Sequence, residues 1–249
     1  MAADTRPVTG TDRPVCIAHR GASGQEPENT VRAFARALEL GATWLEFDVH
    51  LVHDRLLVIH DDTVDRTTNG SGPLSVLTLG ELRALDAGEG ERIPFLEEVL
   101  ELAAGRARLN IELKGAGAAA ATVAALQDAV ASGAWRPEQV VLSSFDWAQL
   151  QEVRVLEPSL PVAPLEGKGA GGEILEAASR LGAEAIHISR WSARARLVES
   201  AHQRGLAVRV FTVNQAWEYE LLQRLGVDAF FTDFPLRALA WGAAAPVLV

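Results

Sequence analysis

Acids and histidines crowd the stretch Trp44 to Asp62, WLEFDVHLVHDRLLVIHDD. Read as a strand, it puts Glu46, Asp48 and His50 on one face and Leu45, Phe47 and Val49 on the other. Two carboxylates that close cannot both stay charged and unpaired in a low-dielectric site, so a cation joins them or one holds a proton. Oxygen ligands suit a hard divalent cation, Mg2+ or Ca2+. After a turn at Asp54-Arg55, the run Leu56 to Ile59 reads as a returning strand that carries His60 and Asp61 back toward Asp48. A two-residue loop there would set His60 opposite Val49. A three-residue loop, His53-Asp54-Arg55, sets it opposite Asp48 on the acidic face, and this is the expected register. Taken alone, the stretch also fits a solvated amphipathic hairpin, because clustered titratable groups are only statistical evidence of a site.

The elements that would position these groups alternate along the whole chain. Strand candidates begin at Val15 and Trp44 and continue with Ala107 to Leu113, Gln139 to Ser143, Leu160 to Ala163, Ala185 to Ile188, Ala207 to Phe211 and Asp228 to Phe231. Between them lie helical patterns: one capped by Asn29 or Thr30 and ended by Gly41, then Phe95 to about Ala104, Ala118 to Ser132, Trp147 to Leu156, Gly172 to Leu181, Ser192 to Gln203 and Trp217 to Leu225. Strands alternating with helices at this length predict an α/β fold, a single (β/α)8 TIM barrel over residues 1–249. Residues 1–13 read as a loose polar tail, Ala238 to Val249 as a closing helix plus a tail, and about 61–93, rich in Gly, Asn and Pro, as an inserted segment lying over the hairpin. An open doubly wound sheet is disfavoured, since no G-x-G-x-x-G turn follows the first strand.

A barrel carries its chemistry at the C-terminal ends of its strands. There the sequence places His19 and Arg20, Glu46 and Asp48, Glu112 and Lys114, Thr212 and Asn214, and Thr232 and Asp233. Glu112 and Lys114 are two apart, so in extended backbone both point into the top of the barrel. Three acids, a lysine, an arginine and two histidines on one rim describe phosphate-ester chemistry. Glu46, Asp48 and Glu112 would hold one divalent cation, Arg20 would grip phosphate oxygens through its planar fork, and Lys114 would add compact positive charge to the transition state. His19 and His60 titrate near neutrality when unperturbed, so one can take a proton from the attacking hydroxyl while the other protonates the leaving alcohol.

Composition narrows the partners. With 48% hydrophobic and 22% charged residues the chain reads as an ordinary globular protein, and its net charge of −10 without a dense Lys/Arg run argues against nucleic acid. No apolar stretch approaches the roughly 20 residues of a membrane span. The N-terminus lacks the apolar core of an export signal, so a cytoplasmic location is expected. The single Cys16 sits in an apolar strand and is expected to be buried and inert.

The motifs AHRGASG (Ala18 to Gly24), PENT (Pro27 to Thr30), LEFDV (Leu45 to Val49), IHDDTVDRTTNGSG (Ile59 to Gly72), IPFLEEVL (Ile93 to Leu100), NIELK (Asn110 to Lys114) and SSFD (Ser143 to Asp146) follow one another in order, with FTVN and FTDFP near the end. This ordered set resembles the glycerophosphodiester phosphodiesterase family. The resemblance implies a β/α barrel with a segment inserted after His60, a divalent cation, and a small-molecule glycerophosphodiester substrate cleaved to glycerol 3-phosphate and an alcohol. It also implies that Glu46, Asp48 and Glu112 are metal ligands, His19 and His60 the acid/base pair, and Arg20 and Lys114 the phosphate grips. The family further suggests attack on phosphorus by the glycerol 2-hydroxyl, through a cyclic phosphate. Two departures stand out. Arg55 replaces the Gly of a common Asp-Gly turn, which implies a bulged or longer turn. Phe211 stands where the family often has Trp, which bears on how the glycerol end packs.

Two other functions fit the same residues: a lysophospholipase D, which would need an apolar channel or membrane-facing patch, and a phosphodiester-binding barrel without turnover. Among the remaining polar residues, His50 reads as a rim residue, His53 as solvated in the turn, His187 as a satisfied structural histidine and His202 as a helix-surface residue. Trp191 reads as covering the barrel rim, and Arg190, Arg194, Arg196 and Arg204 as a solvated face.

Overall fold

In the computed structural model residues 13–167 and 172–243 are described; the expected tails at 1–13 and after the closing helix fall almost wholly outside them. Parallel strands alternate with helices: β1 (Val15–His19), α1 (Val31–Glu39), β2 (Trp44–Val52), the hairpin strand β3 (Arg55–Val58), α2 (Leu79–Ala84), α3 (Leu96–Ala103), β4 (Arg108–Lys114), α4 (Ala118–Ala131), β5 (Val140–Ser144), α5 (Trp147–Leu156), β6 (Val162–Pro164), α6 (Glu173–Leu181), β7 (Ala185–Ser189), α7 (Ala195–His202), β8 (Ala207–Phe211), α8 (Ala216–Arg224), β9 (Ala229–Thr232) and α9 (Pro235–Ala243). The strands run in the order β6-β5-β4-β2-β1-β9-β8-β7, with β3 paired to β2 alone. A parallel bridge between Leu165 and His187 brings β6 to β7, so the eight parallel strands form a nearly closed barrel. The fold is the TIM barrel that the strand count predicts.

Two apolar layers hold the barrel. Inside it, Ile17, Val141, Ala163, Ala185 and Ala229 pack with Phe231, small side chains leaving room for larger ones. At the base, the guanidinium groups of Arg108 and Arg209 stack on the Trp44 ring, 4.0 and 4.8 Å from its centre. Outside it, helices bury one apolar stripe on the sheet, as where Phe34 of α1 meets Phe47 of β2 edge-on at 5.5 Å. Burying a side chain the size of Phe47 contributes about 1.5–3 kcal/mol. Helix starts follow the expected chemistry: the Thr30 hydroxyl, not Asn29, accepts from the Ala33 amide to cap α1.

The hairpin corrects the expected register. Val52 pairs with Arg55 and Val49 with Val58, so the loop is the two residues His53-Asp54, with φ of 47° and 58°. Both take the positive φ of a type I′ turn, which Asp and His tolerate better than most residues. Arg55 needs no positive φ because it already lies in β3. The Ile59 amide donates to the Asp48 carbonyl, and His60 stands beyond the paired strand, not opposite Asp48 within it. His53 is exposed in the turn, as expected, with Nε2 2.9 Å from the Leu77 carbonyl.

The segment after β3 has its own small apolar cluster, in which Val64, Leu74, Leu82 and Ile93 cover Leu57 and Ile59. Its short helix α2 is fixed by reciprocal bonds between Thr78 and Glu81.

Candidate active site

Strand register sets the acids side by side. Asp48 of β2 is level with Glu112 of β4, and Glu46 is level with His19 of β1 on its other side. One carboxylate oxygen from each of Glu46, Asp48 and Glu112 lies within 4.8 Å of the others, and all three side chains are buried. Cations gather around them. Arg20 Nε lies 3.3 Å from Asp48 Oδ2, and the Lys114 ammonium sits 3.3 Å from Asp48 Oδ1 while also pairing with Glu112. Asn29 Nδ2 donates to Asp48 Oδ2 at 3.0 Å, and the Arg20 amide donates to Glu46 Oε2 at 2.9 Å.

The loop after β1 turns sharply to make that last contact. Arg20 has φ 55° and Gly21 φ 81°. A Cβ on Gly21 would come within 2.6 Å of the Ala33 carbonyl carbon, so only glycine fits against α1. Arg20 bears a left-handed conformation that costs about 1–3 kcal/mol, and it holds that shape beside the acids.

Crowding moves the titrations apart. Burial pushes the Glu46 carboxyl up to about 8 against the opposing charge of His19. Burial and then the charge of Asp48 lift Glu112 to about 7. Asp48 is instead held below its ordinary value: burial would raise it, but Lys114, Arg20 and His60 outweigh that. A site that must share so few charges among three acids is short of positive charge. Asp48 Oδ1 and Glu112 Oε1 are buried and both face the Lys114 ammonium, and the donor set of the three clustered acids is all oxygen, so they fit a hard divalent cation.

Each of the two histidines leans on a carboxylate. His19 Nδ1 lies 2.7 Å from Asp233 Oδ1, and Asp233 in turn accepts from Asn214 Nδ2 at 2.6 Å. His60 Nδ1 lies 2.5 Å from Asp61 Oδ1. Arg66 clamps that pair from outside, donating to Asp61 at 2.6 Å and to Glu28 at 2.7 Å, while Arg20 also donates to Glu28. Both rings therefore keep Nε2 for other partners, and both line one cavity of about 160 Å3 with Arg20, Glu46 and Glu112. Burial works to lower the pKa of His19, but Glu46 and the bond to Asp233 outweigh it and raise the net value. For His60 burial prevails over Asp48, and the pKa falls.

The seven residues expected at the site thus converge. What the sequence left unassigned is the ring around them. Asp233 and Asn214 were visible only as strand-end residues, Glu28 only within PENT, Asn29 there and as a possible helix cap, Asp61 only as carried back toward Asp48 with His60, and Arg66 only within the motif after His60. The signal available was a carboxylate adjacent to, or on the next strand end from, each histidine. Phe211 stands on the cavity wall edge-on to Phe145 at 6.0 Å. His50 faces away from the cavity, its Nε2 3.1 Å from the His60 carbonyl, and Trp191 is 67% exposed at the rim.

Two expectations need correction. Arg190 is not merely solvated: it lies 3.1 Å from Glu218 and donates to the Thr212 carbonyl at 2.7 Å, bracing the end of β8. His187 is fully buried, and its Nδ1 has no partner. His202, half-buried on α7, pairs with Asp228 at 2.8 Å. Burial pushes the Cys16 thiol up to about 12, as an inert thiol requires. No helix among the described residues is long and apolar enough to cross a membrane.

Known proteins share the fold of this chain. Residues 19–237 match the model of the glycerophosphoryl diester phosphodiesterase family. A glycerophosphodiester phosphodiesterase of Caldanaerobacter subterraneus subsp. tengcongensis is 38% identical over 237 residues, 90% of this chain and 95% of that protein. One from Bacillus subtilis is 32% identical over 251 residues, 90% of this chain and 85% of that protein. The structure of an Oleispira antarctica phosphodiesterase in complex with the product sn-glycerol-3-phosphate superposes with a TM-score of 0.85 at 31% identity, over 93% of this chain and 98% of that one. The chain belongs to the glycerophosphoryl diester phosphodiesterase family.

Proposed function

We propose that this protein hydrolyses water-soluble glycerophosphodiesters to sn-glycerol 3-phosphate and an alcohol, and that the reaction depends on a divalent cation, Mg2+ or Ca2+. The observation that carries the reading is the pair of carboxylate-backed histidines facing one cavity beside three buried acids. The family membership and the product held by the Oleispira antarctica relative support the same substrate class.

Glu46, Asp48 and Glu112 would hold the cation, which when bound supplies charge neutralisation at a phosphate oxygen. Arg20 and Lys114 grip the remaining phosphate oxygens. His60, its pKa lowered, is unprotonated near neutral pH and takes the proton of the attacking hydroxyl. His19, its pKa raised, carries a proton and gives it to the leaving alcohol oxygen as the phosphorus–oxygen bond breaks. Asp61 and Asp233 keep each ring in the tautomer and orientation these transfers need. The attacking group is the glycerol 2-hydroxyl, which leaves a cyclic phosphate. Water then opens that ring with the histidines in reversed roles. A substrate without the neighbouring hydroxyl tests this order: equal cleavage rates for it and its parent would remove the cyclic step. We further infer that residues 1–249 act as one barrel unit, with the segment after β3 serving the site through Arg66.

The reading is tested by following release of glycerol 3-phosphate from glycerophosphocholine by the chelated protein with each cation restored. Turnover that needs no metal, or none with any cation, contradicts it.

A further inference from the structure

The floor of the catalytic cavity holds polar atoms that the reaction above does not use. His187 sits midway along β7, between Leu165 and Arg209 on the neighbouring strands, with no exposed surface. Its ring packs edge-on against Phe231 at 5.1 Å and lines the same cavity as His19 and His60.

The tautomer follows from its one side-chain partner. Arg209 Nη1 lies 3.3 Å from His187 Nε2, and a guanidinium can only donate, so Nε2 accepts. Burial first, and then the neighbouring Arg209 charge, hold the His187 pKa well below 6.5, so the ring is neutral and carries a single proton. That proton sits on Nδ1, which is a buried N–H donor with no acceptor in the protein. Asn110 lines the same cavity from β4. Its Nδ2 donates to Ser143 Oγ at 2.9 Å, which leaves Oδ1 as a buried acceptor without a donor.

An open donor and an open acceptor, neither of them charged, are the complement of a hydroxyl group. The walls above them, Phe145, Leu165, Phe211 and Phe231, are apolar. Arg209 is already engaged by Glu184, so the floor offers no free charge to a cationic or anionic group. We propose that His187 is a specificity residue whose Nδ1–H, with Asn110 Oδ1 as its counterpart, reads the terminal hydroxyl of the glyceryl group of the substrate. The inference rests on the proposed glycerophosphodiesterase reading. An acylated terminus brings no proton to Asn110 Oδ1, and a terminus without oxygen leaves both atoms unpaired in a dry pocket, so the floor selects the fully deacylated substrate.

The test measures binding, so it does not depend on turnover. Calorimetry compares sn-glycerol 3-phosphate with propane-1,2-diol 1-phosphate, which lacks only the terminal hydroxyl. The wild-type protein is expected to bind the analogue about 10- to 100-fold more weakly. His187→Gln can still accept from Arg209 but loses the donor at the Nδ1 level, and is expected to bind both ligands alike. His187→Asn places an amide donor at that level and is expected to restore the preference. Equal binding of the two ligands by the wild-type protein, as when a water fills the floor, overturns the proposal. So does a preference kept by His187→Gln and lost in His187→Asn, the pattern of a mere prop for Arg209. Hydrolysis of glycerophosphocholine is followed alongside. Turnover without a binding preference sinks this inference alone, whereas absence of both binding and turnover sinks the proposed function with it.

Discussion

Asp233 Oδ1 lies 2.7 Å from His19 Nδ1 across a separation of 214 residues, joining the last barrel strand to the first. β1 and β9 are neighbours in the sheet, so closure of the barrel is what orients this histidine. Asp233→Asn keeps the shape but removes the carboxylate that fixes the ring tautomer. The expected result is a fall in kcat of about 10²- to 10⁴-fold with a smaller change in KM, read from steady-state kinetics on glycerophosphocholine. An unchanged kcat would separate Asp233 from the chemistry.

Arg66 is exposed, yet it holds both Asp61 and Glu28. As a surface ion pair it contributes no more than about 1 kcal/mol to stability. Arg66→Ala should therefore leave the thermal midpoint nearly unmoved while lowering kcat by about tenfold, because Asp61 is freed to turn away from His60. A large loss of stability with kcat intact would make Arg66 a structural clamp only.

The acidic limb of the rate profile is assigned to His60 and the alkaline limb to His19. Activity falls on acidification as His60 gains a proton, at a pH below its ordinary 6.5, and falls on alkalinisation as His19 loses one above 6.5. kcat/KM against pH should thus be bell-shaped with limbs on either side of that value. His60→Ala leaving the acidic limb in its residual activity would reverse the assignment.

Glu46 links stability to both pH and metal. Its carboxyl binds a proton in the folded protein up to about pH 8, whereas the unfolded chain releases it near 4.5. The folded state holds more protons across that window, so this group makes the metal-free protein less stable as pH rises through it. A divalent cation competes with that proton, and its binding should tighten over the same range. The increase in thermal midpoint on adding Mg2+ or Ca2+ is expected to be larger at pH 8 than at pH 6. An equal or smaller increase at pH 8 would argue that Glu46 is not a ligand.

Much of the site was legible because two simple periods coincide. Alternation along β2 and β4 put Glu46, Asp48 and Glu112 on inward faces, and the rule that barrels work at their strand ends picked out His19 and Lys114. The hairpin register was not legible. A turn at Asp54-Arg55 would have required a positive φ at Arg55, and the chain instead uses His53-Asp54, which no local pattern favoured strongly. His187 was misread for a different reason: which ring nitrogen finds a partner depends on the residue level with it on the next strand, here Arg209, which takes Nε2 and leaves Nδ1 open. The orienting acids were missed because their meaning is set by closure of the sheet and by Arg66, not by spacing.

That turn offers a further check. Asp54 adopts φ 58° without being glycine. Asp54→Gly should relieve about 1 kcal/mol of that conformation, seen as a higher urea midpoint with unchanged m and kcat. A lower midpoint would mean that Asp54 is held by contacts worth more than its strain.

The most direct test of the central claim is release of glycerol 3-phosphate from glycerophosphocholine by purified protein after chelation, with Mg2+ or Ca2+ restored separately, beside His19→Ala and His60→Ala. The account predicts no turnover after chelation, recovery with a divalent cation, and loss of at least about 10²-fold in each variant. Turnover that survives chelation, or that persists at the wild-type rate in either variant, would contradict it.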